Sequence, residues 1–238
     1  MRLWRFDMPV VVGVIVIATF LISIVAAIGG RSGLPLAAWG VLLPDAVFHG
    51  QVWRLVTWQL FELEPFGLIF SCLLIYWFGR DLCHAWGPKK FLAVYFGFTA
   101  TVGILICLIG RFLWPEVYGG LFLGTWPIAT ALTIAWASLY PDREILFMFV
   151  MRANGKVLIA LTIGGTLLWA AFGGVVAMLP TLLSELLMLL YVGQLRRWWL
   201  KMRLTRLEQQ KKRYVNNVIR LDRDEARKND DDKPRYLN

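Results

Sequence analysis

The side chains able to act as nucleophile, base or metal ligand are few and widely spaced. The 238 residues contain two histidines, His49 and His84, and three cysteines, Cys72, Cys83 and Cys107. Gly30-Arg31-Ser32-Gly33 has the form Gly-x-Ser-Gly, which positions a nucleophile only when a strand-turn-helix or a buried helix carries it. Here it stands at the end of an apolar run and reads as a helix exit. Serine hydrolysis also needs a base within hydrogen-bond reach and donors for the oxyanion. Ser32, Ser71, Ser138 and Ser184 are the candidate hydroxyls, with His49, His84 or a lysine as the base. Ser184 and Glu185 fall inside the last apolar run. A carboxyl at that depth is costly and marks either a function or a hydrogen-bonded packing site, with Ser71 and Thr125 as possible partners. The cysteines lack metal-ligand or disulfide spacing and read as small apolar fillers. No cofactor or metal is implied.

Six apolar runs must position these groups. With 58% hydrophobic and 17% charged residues and a positive mean hydropathy, the composition excludes an ordinary soluble domain and indicates an all-α, polytopic membrane protein. Met8–Ile28 is about as long as the ~20 residues a bilayer requires, and reads as a retained first span. Further spans are expected over Phe66–Phe78 (with Leu82–Trp86 prolonging the helix), Phe91–Ile109, Gly119–Leu139, Val157–Val176 and Leu179–Leu195. In the fourth, Gly120 and Gly124 are four residues apart, which on a helix puts both on one face for a close backbone contact. Ile145–Met151 is too short to span and is expected to lie along the surface. The chain divides into a first span over residues 1–29, an interfacial loop over 30–65, the remaining spans over 66–195 and a basic tail over 196–238.

Residues 30–65 are too polar to cross a bilayer and too rich in Trp, Val, Leu and Phe for a free loop. They should fold as short helices anchored by tryptophans in the membrane interface, with Trp53 and Arg54 pairing an interfacial aromatic with a snorkelling cation. Lysine and arginine cluster at one set of span ends (Arg2, Arg5, Arg80, Lys89, Lys90, Arg143, Arg152, Lys156 and the tail), with only Arg31, Arg54 and Arg111 opposite. Both termini are therefore expected in the cytoplasm. The net charge of +9 is concentrated after Leu195, which points to anionic lipid head groups and not to nucleic acid.

Taken in order, Val52-Trp53-Arg54-Leu55-Val56-Thr57, Trp77-Phe78-Gly79-Arg80-Asp81-Leu82, Trp86-Gly87-Pro88-Lys89-Lys90-Phe91, the Gly119–Pro127 stretch and Tyr140-Pro141-Asp142-Arg143-Glu144 resemble the rhomboid-like superfamily over about Val47–Gly193. The resemblance implies a six-helix bundle with a long first loop that Arg54 organises through backbone carbonyls. It also implies where proteolytic machinery would stand. The nucleophile position holds Trp126, the base position falls near Leu182, and the oxyanion positions fall on Gly67 and Ser71, so no catalytic residue of the family is retained. Two functions follow as expectations. One is a non-cleaving rhomboid-like protein that binds transmembrane segments of other proteins, using Arg54, Ser71, Ser184 and Glu185. The other is an intramembrane serine protease with displaced catalytic residues.

Overall fold

A computed structural model describes residues 9–32, 36–147 and 151–193; the contacts below lie within the compact unit Met1–Leu190. The basic tail expected over 196–238 falls outside the described residues. The first apolar run forms α1, Val10–Arg31. The first loop folds into the short helices expected of it: α2 (Ala37–Gly40), α3 (Pro44–Phe48), α4 (Arg54–Thr57) and a 3-10 turn, Trp58–Leu60. Long helices α5 (Pro65–Trp86) and α6 (Pro88–Phe112) follow. Each opens on proline, whose fixed φ suits the first helical turn, and Gly87 between them adopts φ +83°, a turn that favours glycine. Then come α7 (Pro115–Tyr118), α8 (Trp126–Leu139), α9 (Gly155–Gly173) and α10 (Val175–Gly193). Among the described residues, α1, α5, α6, α9 and α10 are long and apolar enough to cross a membrane.

The fourth apolar run departs from expectation. Gly119–Thr125 is not helical, and α8 begins only at Trp126, so Gly120 and Gly124 share no helix face. At Phe122 the segment forms a single β-bridge to Leu42 instead, because partners in the first loop take its backbone groups. Leu42 and Phe122 exchange N–H···O bonds of 2.8 and 2.9 Å, and Gly124 N–H donates to the Trp58 carbonyl at 3.3 Å. Non-helical backbone at membrane depth is tolerated where protein surrounds it, and here Leu42, Trp58, Ile106, Val117 and Phe122 form one buried cluster. Gly124 takes φ +125°, which a side chain at that position would oppose. With 14 residues, α8 is roughly 21 Å long, short of the ~30 Å hydrocarbon core. Every residue from Pro127 to Ala137 is buried. A helix apolar on all sides belongs at the centre of its bundle.

Arg54 holds the first loop together. Its Nη1 donates to the Ala38 and Val41 carbonyls at 2.7 Å each, and its Nε to Gln51 Oε1 at 2.6 Å. Trp53 Nε1 donates to the Trp39 carbonyl at 3.1 Å and Thr57 Oγ1 to the Gly40 carbonyl at 2.9 Å. Arg54 is therefore buried, with its charge directed at carbonyls at the end of α2. At the opposite end of the bundle one oxygen of Asp81 accepts from Trp136 Nε1 (2.8 Å) and Arg143 Nη1 (2.7 Å), joining α5 to the end of α8. Part of the run expected to lie along the surface forms a strand: β1 (Ile145–Phe147) pairs antiparallel with β2 (Met151–Ala153), Ile145 opposite Ala153. The pairing satisfies backbone groups that no helix takes up.

Candidate functional site

Helices α5 and α9 each pack on α8 and share no comparable interface with one another. A cleft of about 1030 Å³ remains beside α8, walled by the start of α5 (Phe66, Gly67, Phe70, Leu74), by Leu121–Gly124 and by α9, with Met178, Pro180 and Thr181 of α10. Trp126 and Pro127 open α8 on its wall, followed by Thr130 and Thr133. Along α9 the lining runs Leu158, Leu161, Thr162, Gly165, Thr166, Trp169, the i, i+3, i+4, i+7 spacing of a single helix face.

The cleft is mostly apolar, and its polar groups are held locally. Thr130, Thr133 and Thr162 hydroxyls donate to the Pro127, Ala129 and Leu158 carbonyls of their own helices at 2.8–3.0 Å. Thr166 donates to Glu185 Oε1 at 2.6 Å, linking α9 to α10. At the end where α5 begins, Glu62 and Glu64 line the cleft. Glu62 is 8% exposed; one carboxyl oxygen accepts the Thr125 N–H at 3.2 Å and the other the Glu64 N–H at 3.4 Å. Thr125 also anchors α8 by donating its hydroxyl to the Gln59 carbonyl at 2.8 Å.

Burial pushes the Glu62 carboxyl above its usual range, against the lowering effect of those two N–H donors. A raised folded pKa means that the folded protein holds its proton to higher pH than the unfolded chain. The resulting stability is fully present below about pH 4.5, the ordinary glutamate value, and is lost as pH rises through the folded value. Melting measured from pH 4 to 7.5 should show the wild type losing stability relative to Glu62→Gln as pH rises. A gap between the two proteins that stays constant with pH would contradict this.

The expected site residues are only partly brought together. Trp126 and Gly67, which the resemblance puts at the nucleophile and one oxyanion position, both line the cleft, and Trp126 is 40% exposed. Ser71 is fully buried, donating to the Leu68 carbonyl at 3.2 Å, and Ser71, Leu182 and Ser184 are not among the lining residues. Glu185 is buried, but its partner is Thr166, not Ser71 or Thr125. His49 is exposed on the first loop, its Nδ1 2.8 Å from the Asp45 carbonyl; exposed His84 sits 2.8 Å from the Arg80 carbonyl near the far end of α5. Ser32 Oγ donates to the Ile28 carbonyl as part of the exit of α1. Among the described residues lining the cleft there is no serine, histidine, cysteine or lysine. Sequence reasoning passed over Glu62, Glu64 and Thr166. The available signal was Glu62-Leu63-Glu64-Pro65, two acids at the start of a span.

Bundle, organising arginine and inter-helix cleft together define an integral, multi-pass membrane protein of rhomboid-like kind. The chain belongs to a family of eukaryotic integral membrane proteins, DUF1751, whose profile matches residues 10–200. It is also similar to Rhomboid-like protein 19 of Arabidopsis thaliana, with 29% identity over 101 residues, 40% of this chain and 33% of that protein. The match thus spans about a third of that relative's length.

Proposed function

We propose that this protein binds membrane-spanning helices of other proteins in the cleft beside α8 and leaves them uncut. One observation carries the reading: the cleft lies beside α8, the short central helix, and among the described residues its lining has an indole where the resemblance puts the nucleophile and no imidazole or serine. Catalysis would need a nucleophile and base in mutual reach. The four threonines with described bonds commit their hydroxyl protons to carbonyls or to Glu185. The apolar walls suit a side of a helix that already satisfies its own backbone. Both termini face the cytoplasm in this reading, and the basic tail meets anionic lipid head groups there.

The purified protein should neither label with a serine-reactive fluorophosphonate nor shorten a single-span reporter co-reconstituted with it, as read by intact mass. Labelling and cleavage that both vanish on one serine substitution would establish the displaced-residue protease instead.

A further inference from the structure

The cleft is long, and most of its threonines and both of its carboxylates present lone pairs. Its α9 wall runs from Leu158 to Trp169, roughly 17 Å along the helix axis at 1.5 Å per residue. The hydroxyl protons of Thr130, Thr133, Thr162 and Thr166 are already donated, so these oxygens offer only lone pairs. At the α5 end stand Glu62, more than nine-tenths buried, and Glu64, exposed. Among the described residues neither forms an ion pair, whereas Asp81 pairs with Arg143 and Arg54 is committed to the first loop. A nearly buried carboxyl lining a groove is costly to ionise without a countercharge. A cation entering the groove would supply it.

Resting on the helix-binding reading above, we infer that the preferred occupant is a transmembrane helix of another protein carrying a lysine or arginine near one end, seated so that this side chain reaches Glu62 and Glu64. The remainder of that helix lies along the α9 face. Charge complementarity selects among membrane helices that the apolar walls alone would accept alike.

The test uses the full-length protein in phosphatidylcholine nanodiscs and three synthetic spans of identical leucine-alanine sequence. Each carries lysine, glutamine or leucine one turn from the same end, and affinity is read by energy transfer from a donor on the protein to an acceptor on the peptide. The lysine peptide should bind about tenfold tighter than the leucine peptide, with glutamine between them. Glu62→Gln with Glu64→Gln should bring the lysine-to-leucine ratio near one, and Glu64→Lys, a change at an exposed site, should also lower that ratio severalfold. Equal affinities of all three peptides for the wild type overturn the charge selection and leave the helix-binding reading standing. Binding of none overturns both. If added phosphatidylethanolamine abolishes the lysine preference without weakening the leucine peptide, a lipid amine fills the charged end and the inference is overturned.

Discussion

Replacing Arg54 with alanine should lower the stability of the protein by about 3 kcal/mol, since a hydrogen bond to a charged group contributes about 1.5–3 kcal/mol and the desolvation of the guanidinium offsets part of the sum. The Ala38 and Val41 carbonyls and the Gln51 side chain all take hydrogen bonds from this guanidinium, and charge-assisted bonds are stronger than neutral ones. Without it the end of α2 keeps acceptors in a site too enclosed for water to replace every bond. Lysine should recover only part of the loss, since one ammonium cannot reproduce the fork that reaches Gln51 and the two carbonyls together. The consequence reaches the cleft. Val41 precedes Leu42, whose bonds to Phe122 hold the Leu121–Gly124 wall, so the alanine variant should also lose helix binding. Thermal unfolding in detergent checks the stability, with a fall of roughly 10 °C expected for a chain of this size. A midpoint unchanged by the alanine substitution would mean that the loop does not depend on this side chain.

Gly155→Ala should destabilise by about 1–3 kcal/mol, the usual cost of overpacking. A Cβ there would collide with the Ala137 carbonyl oxygen and stand 2.9 Å from Pro141 Cα and 3.0 Å from the Tyr140 oxygen. All three are backbone atoms, so no rotamer change relieves the contact. The start of α9 must move off α8, and the cleft changes width with it. Gly164, on the same helix, has nothing within 4 Å of an added Cβ. Gly164→Ala should therefore stabilise by about 0.5–1 kcal/mol through helix propensity. Opposite signs for two identical substitutions within one helix separate close packing from propensity, and both are measured by the same melting experiment. Equal effects would show that α9 does not rest on the end of α8 as described.

Much of this architecture is legible in the sequence because bilayer thickness and backbone satisfaction leave few alternatives. Apolar runs bounded by Pro65, Pro88, Gly87 and Gly174 mark helix ends within a few residues, since proline and positive-φ glycine act locally. Trp53-Arg54 is readable for a similar reason: a cation in an apolar loop must find acceptors, and neighbouring carbonyls are the nearest. Gly119–Thr125 was not readable. Its apolar residues and Gly-x-x-x-Gly spacing suit a helix, and what keeps it out of one is pairing with Leu42 and Trp58, dozens of residues away. The same holds for Glu185, whose partner Thr166 lies on another helix. The role of Glu62 emerges only when the Thr125 N–H and the start of α8 are brought beside it.

Disulfide trapping tests directly whether the cleft holds a helix. The three native cysteines are all buried, and Leu161, on the α9 wall and 39% exposed, is a suitable site for an introduced cysteine. Paired with a single-span reporter carrying one cysteine at successive positions, it should give an adduct whose mass equals the sum of both intact chains, with yield peaking every three to four residues along the reporter. A yield without helical period, or an adduct containing only a fragment of the reporter, would contradict the account.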